Sequence, residues 1–277
     1  MDLHSVVASH YGRTGLEQRI LDGLAAAGLD GKPLTPADLA PVDEFHIRGR
    51  LATTELALLA EIERGERVLD VGAGLGGPAR HLAAEFGAEV VGADLTPEYC
   101  EVARLLTERA GLEDSVSFHL ADALELPFDD GEFDVVWTQH AAMNIPDKER
   151  LYGELGRVLR QGGRLALYDV TAGPGGQVHF PVPWATGPEL SFLATPDELR
   201  RLVEASGLEI VAWRDVSAPA TDWFRERLAA VQGGSPPPLG LHLLLGADAP
   251  VMFGNMLRSL EEERIVLIQL VARRPEL

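Results

Sequence analysis

The chain has a single cysteine, Cys100, so no internal disulfide can form and the sequence suits a reducing compartment. A lone cysteine in a helix-like stretch reads as a small apolar packing residue, not a nucleophile. Positive charge is also short: 24 Lys and Arg stand against 43 Asp and Glu, for a net charge of −19. Such a field repels a phosphate backbone, so nucleic acid is a poor partner, and most of the acidity reads as solvated surface. Long apolar runs are missing. None reaches the roughly 18 uncharged residues of a membrane span, and no basic segment followed by an apolar stretch opens the chain. We therefore expect a cytoplasmic protein with no membrane partner. Metal-ligand spacing is missing too: His4, His10, His81, His119, His179 and His242 gather no donor set, so no metal is expected. Without a G-x-S-x-G elbow a hydrolase is excluded. Asp129-Asp130-Gly131-Glu132 lacks the donor ladder of a calcium loop and reads as a connection.

What the chain does have is glycine where a strand ends. Val68-Leu69-Asp70-Val71 runs into Gly72-Ala73-Gly74-Leu75-Gly76-Gly77-Pro78, after which Ala79, Leu82, Ala83 and Phe86 fall on one helical face. Strand, tight glycine turn and helix form the nucleotide-cradling unit of an open α/β sheet, and the helix start offers N–H groups to a polar or anionic ligand. Gly72, Gly74 and Gly77 satisfy G-x-G-x-x-G, the dinucleotide spacing. Asp70-x-Gly72-x-Gly74-x-Gly76 is equally the spacing of S-adenosyl-L-methionine sites. The glycines alone do not decide between the two.

At 277 residues and 46% hydrophobic, the chain can bury one large core, with or without insertions. Strand-like runs follow at 90–93, 117–120, 133–137 and 164–168, separated by helix-like stretches near 78–86, 97–110 and 147–159, the rhythm of a doubly wound parallel sheet. Thr96 with Pro97, and Asp147, are placed to open two of these helices, and Gly111 to close the first. Outside this rhythm lie three pieces. Residues 1–50 read as a helical lid, with Leu16, Ile20, Leu21 and Leu24 on one face, Gly28 as a stop and Thr35-Pro36 as a second start. Residues 173–195 form a Pro- and Gly-rich active-site loop, ending where Thr195 and Glu198 make a capping box. Residues 218–262 read as a helical acceptor-binding insertion. The core is then 51–217 plus 263–277, closed by a buried strand at 265–271.

Asp94 ends the second strand about 20 residues beyond the glycine turn, where a carboxylate receives both ribose hydroxyls of a nucleotide. Asp122, in Ala121-Asp122-Ala123, follows the third strand and faces the cleft from its other wall; a dinucleotide fold has no such requirement. Gln139 and His140 lie just past the fourth strand. His46 and Arg48 belong to the polar stretch Asp43–Gly49, which reads equally as a solvated linker. Tyr11, Phe180, Trp184, Phe192, Trp223, Phe224, Met252 and Phe253 are the large side chains that the interrupting pieces offer for an acceptor pocket or for lid packing.

In these motifs the chain resembles the class I S-adenosylmethionine-dependent methyltransferases. It is similar to their small-molecule branch, which includes sarcosine/dimethylglycine N-methyltransferases and quinone and isoprenoid C-methyltransferases. The resemblance covers most of 43–217 and rests on Val68–Gly77, Val91–Leu95, Ala121–Ala123, Leu126-Pro127-Phe128, Phe133–Trp137, Leu159–Gly163 and Gln139-His140; Gln161 stands where the family usually has proline. It implies a seven-stranded Rossmann-like sheet, order 3-2-1-4-5-7-6, with the last strand antiparallel. It also implies S-adenosyl-L-methionine held by Arg48, Asp70, Gly72, Gly74, Gly76, Asp94, Leu95, Ala121, Asp122, Ala123 and Gln139. His140 and then His46 are the candidates for a catalytic base beside the acceptor. The expected activity is methyl transfer to a small-molecule acceptor, first of all N-methylation of an amine or amino-acid-like compound. C- or O-methylation of a quinone, isoprenoid or polyketide is the alternative, and an NAD-dependent oxidoreductase or a non-catalytic cofactor-binding module stands further off. A homodimer is compatible with the chain, which does not decide it.

Overall fold

In a computed structural model the described residues are 15–231 and 237–276. His4, His10, Tyr11 and the glycine-rich linker at 233–236 lie outside them. Seven strands, β1 (Arg67–Val71), β2 (Glu89–Asp94), β3 (Val116–Leu120), β4 (Phe133–Gln139), β5 (Leu159–Ala172), β6 (Glu209–Asp215) and β7 (Ile265–Arg273), form one sheet in the order β3-β2-β1-β4-β5-β7-β6. β1 to β5 are parallel, while β7 runs antiparallel to both β5 and β6. This is the expected sheet, last strand included. Central strands read as continuous apolar runs because both faces are covered; β1, β4 and β7 are buried almost throughout, whereas edge strand β6 has no buried residue.

Helices α1 (Leu16–Ala26), α2 (Pro36–Asp43) and α3 (Gly49–Leu59) precede the sheet, α4 (Gly77–His81) and α5 (Pro97–Arg109) follow β1 and β2, and α6 (Lys148–Val158) follows β4. α7 (Pro196–Ala205) follows β5, and α8 (Ser217–Val231), α9 (His242–Leu245) and α10 (Ala249–Glu261) fill the gap between β6 and β7. Local chemistry sets several boundaries. Thr35 and Asp38 exchange bonds across the first turn of α2, as Thr195 and Glu198 do on α7, so in each case two orphan N–H groups are satisfied. Asp147 caps α6 by accepting from the Arg150 N–H. Thr96 stands at the start of α5 but makes no capping bond; its N–H donates instead to Asp94 Oδ1 at 2.8 Å. β5 is longer than its apolar run because Leu159 already pairs with Phe133, and the pairing resumes at Val135 and Arg164 after a bulge containing Gly162-Gly163.

The lid pieces are packed, not loose. Leu16, Ile20, Leu24, Leu39 and Val42 share an apolar cluster with Leu75, with Tyr99 and Leu106 of α5, and with Leu239 and Leu244. Phe45 packs against both this cluster and the one formed by Leu245, Ala249 and Met252. The stretch 43–48 is not a solvated linker: Asp43, Glu44, His46 and Arg48 are all buried. Among the described residues no helix is long and apolar enough to cross a membrane.

Candidate active site

Beyond the carboxyl ends of β1, β2 and β4, where the strand order reverses, a cleft with a cavity volume of about 180 Å³ opens between the sheet and the lid pieces. The glycine turn is its floor. Gly72 has φ +78° and a Cβ there would lie 2.5 Å from Ala141 Cβ, so backbone and space both demand glycine. At Gly74, φ +55°, a Cβ would meet no protein atom within 4 Å and would instead project into open space beside the cleft that Gly74 lines. Gly76 is different: it does not line the cleft, and its missing Cβ makes room for the Phe118 ring and the Arg80 guanidinium.

Four N–H groups of this turn are spent inside the protein. Those of Gly72 and Ala73 donate to Ala93 O at 2.8 and 3.1 Å, that of Gly74 to Asp94 Oδ2 at 2.8 Å, and that of Gly76 to Ala73 O. A pyrophosphate would find no cradle in them. The charges agree, for Asp43, Asp70, Asp94 and Asp122 line the cleft and no arginine or lysine does among the described residues. Asp70 Oδ2 is buried without a hydrogen-bond partner. Burial, with a smaller contribution from Asp94, pushes its carboxyl up to about 8, and burial raises Asp94 as well. Asp94 accepts the Gly74 and Thr96 N–H groups on separate oxygens, which leaves each oxygen a further lone pair. Leu95, Ala121, Asp122 and Ala123 complete this wall, and Asp122 Oδ1 accepts from the Leu124 N–H.

At the β4 end, Trp137 Nε1 donates to Gln139 Oε1 at 2.9 Å. An indole nitrogen only donates, so the amide is oriented with Nε2 turned away, buried and unpartnered. His140 lines the cleft at φ +51°, an uncommon backbone state for a side-chain-bearing residue, with its ring 4.6 Å from that of Tyr168 and 6.0 Å from that of His46. Burial, then the neighbouring His46, drives its pKa well below the usual histidine range. Burial likewise lowers His46 to about 4. His46 Nε2 lies 3.0 Å from Gly49 O, which can only accept; in the neutral ring Nε2 therefore carries the proton and Nδ1 the lone pair. Thr53 Oγ1 donates to Glu44 Oε2 at 2.8 Å and lies 3.0 Å from His46 Nε2, fixing the ring from behind. Arg48 does not reach the cleft: its guanidinium is held by both carboxylate oxygens of Glu55 at 2.6 Å.

The remaining walls are apolar. Trp184, Trp223, Phe224 and Phe253 line the cleft as the sequence allowed, whereas Phe180, Phe192 and Met252 do not. Sequence reasoning passed over Met143, Leu241 and Met256, which carry no signal beyond apolarity, and over Asp43, whose place in an unusually polar stretch just before a helix was the available hint. Among the described residues, no three His, Cys, Asp or Glu side chains form a group able to hold a metal ion.

Fold and cleft define an α/β protein built around a nucleoside-bearing cofactor without phosphates. Residues 69–167 match the family model described as "Methyltransferase domain". The chain is 30% identical to 27-O-demethylrifamycin SV methyltransferase of Amycolatopsis mediterranei over 81% of its own length and 83% of that protein's. With Methyltransferase GfsG of Streptomyces halstedii it shares 38% identity over 65% of this chain and 66% of that one, and with the sarcosine/dimethylglycine N-methyltransferase of Halorhodospira halochloris 33% over 53% of each. It spans about a third of the tocopherol O-methyltransferases it also matches. In fold it is similar to geranyl diphosphate C-methyltransferase of Streptomyces coelicolor, at a TM-score of 0.72, 19% identity and coverage of 99% and 98%. The chain belongs to the S-adenosylmethionine-dependent methyltransferases. The cleft fits that cofactor: its positive charge meets carboxylates, Gly74 leaves room beside it, and the unpartnered Asp70 Oδ2 and Gln139 Nε2 are an acceptor and a donor without a use inside the protein.

Proposed function

We propose that the protein transfers the methyl group of S-adenosyl-L-methionine to a hydroxyl of an apolar small molecule, of the polyketide or isoprenoid kind. The observation that supports this most is the acceptor wall: aromatic and aliphatic side chains with no arginine or lysine among the described lining residues. An amino-acid acceptor would leave its carboxylate unpaired against these walls and near Asp70. That the chain is similar along most of its length to an enzyme named for 27-O-demethylrifamycin SV adds to this reading. An apolar amine fits the same walls and is the second reading, favoured by Trp184, since an indole face attracts an amine's cationic form; Trp223 already carries the Arg227 guanidinium 4.7 Å from its ring centroid.

The bound cofactor supplies an activated methyl group on a sulfonium, ready for in-line displacement. The chain's share is alignment, exclusion of water and removal of one proton. Asp94 and Asp122 hold the adenosine end and Asp70 and Gln139 the amino-acid end, while Gly72 and Gly74 let the backbone approach. Trp184, Trp223, Phe224 and Phe253 seat the acceptor and keep water out. His46 Nδ1 accepts the acceptor's proton as attack proceeds, and His140, uncharged beside it, is the second proton acceptor. The test is a panel of apolar alcohols, apolar amines and amino acids incubated with labelled cofactor, the product read by mass and position. Methyl ethers are expected; methylation of amino acids alone overturns the proposal. A His140→Ala variant with full turnover on the true acceptor removes His140 from it.

A further inference from the structure

Resting on that cofactor reading, we propose that Asp43, the last residue of α2, is a cofactor-binding residue that grips the amino-acid end of S-adenosylmethionine. Asp43 lines the cleft, and its side chain is 1% exposed. Its two oxygens have different fates. Oδ2 takes the Arg80 guanidinium at 2.7 Å, and Arg80, itself fully buried, also donates to Leu75 O in the glycine turn and to Ala103 O and Thr107 Oγ1 in α5. Oδ1 has no hydrogen-bond partner. The same carboxyl lies directly over the turn, since a Cβ on Gly77 would come within 2.9 Å of Oδ1 and 2.5 Å of Asp43 O.

A buried carboxylate oxygen left unpaired is costly, so a donor must be expected for it. The cofactor carries three kinds of donor. Its ribose hydroxyls belong to Asp94 at the tip of β2 and its adenine edge to Asp122 beyond β3, both further along the sheet from β4. Its only charged donor is the α-ammonium. That group suits the two carboxylate oxygens without partners, Asp70 Oδ2 and Asp43 Oδ1, while the unpartnered Gln139 Nε2 suits the adjoining carboxylate. Asp43 thereby couples α2 to the ligand, with Arg80 aiming the carboxyl and offsetting part of the upward pKa shift that burial imposes.

The test compares two ligands by calorimetry. S-adenosylhomocysteine carries the amino-acid end; 5′-methylthioadenosine lacks it. An Asp43→Asn variant, folded by its thermal transition, is expected to lose at least about tenfold in affinity for S-adenosylhomocysteine and to bind methylthioadenosine within about twofold of the wild type. Equal losses for both ligands, or none for either, overturn the proposal. Should Asp43→Asn not fold, Asp43→Glu keeps the charge beside Arg80 while displacing the oxygen, and the same split between ligands decides. If the wild-type protein binds neither ligand, it is the cofactor reading that fails, not the assignment of Asp43.

Discussion

The side of the cleft proposed for the cofactor is made of strand tips and one tight turn, the side proposed for the acceptor of side chains contributed by segments that interrupt the sheet. Several polar groups on the first side are fixed by backbone bonds: Asp94 is tied to Gly74 and Thr96, and the Gly72 and Ala73 N–H groups are spent on Ala93. The second side is held by apolar contacts among α8, α10 and the 183–184 loop, which specify a volume and no particular shape. The difference teaches which half is general and which is particular. A common cofactor is met by geometry written into the sheet, and an individual acceptor by residues that can change without disturbing it.

Substitutions that separate the halves test this contrast. The largest effect is expected for Gly72→Ala, where left-handed strain and the contact with Ala141 add up to about 2–4 kcal/mol; calorimetry should show S-adenosylhomocysteine affinity falling at least about a hundredfold. His46→Ala, at the junction, should lower turnover about a hundredfold and leave that affinity within about threefold. Trp223→Ala belongs wholly to the acceptor side: steady-state kinetics should show the acceptor KM rising about tenfold, with cofactor binding unchanged. A drop in cofactor affinity from Trp223→Ala would break the contrast.

Asp70 links function to pH. Its carboxyl titrates near 8 when folded against about 3.8 when unfolded, so the unfolded chain gives up its proton first. The resulting contribution to stability is complete below pH 3.8 and is lost as pH rises toward 8. The free protein should therefore melt lower at pH 8 than at pH 6. Asp70→Asn should recover about 2–4 °C at pH 8 while weakening S-adenosylhomocysteine binding. The smallest effect on the cofactor is expected for Arg48→Ala, which lies behind the cleft: loss of the buried guanidinium leaves Glu55 without its partner and costs about 1–3 kcal/mol of stability, with cofactor affinity unchanged within about twofold in the same calorimetric assay.

Much of the first half was legible because its signals are local. Glycine at 72 and 74, an acid at the tip of β2 and the caps at Thr35, Asp147 and Thr195 are each decided within a few residues. What misled was long-range pairing. The stretch 43–48 looks solvated in sequence, yet Arg80, the partner of Asp43, lies 37 residues further on, and Thr53, the partner of Glu44 and His46, stands on the next helix. Gly76 fits the cofactor spacing, but only the packed sheet shows the Phe118 ring to be its reason. Arg48 looked free to meet a carboxylate because nothing in its own segment announces Glu55 two turns into α3. The apolar acceptor wall was half visible, since periodicity marks side chains as buried without saying which of them border empty space.

Phe45 links the coverings of the site. Its ring packs against the N-terminal apolar cluster and the one under α10, and the neighbouring Leu244 and Leu245 are divided between the same two clusters. Loosening either covering therefore disturbs the packing of the other.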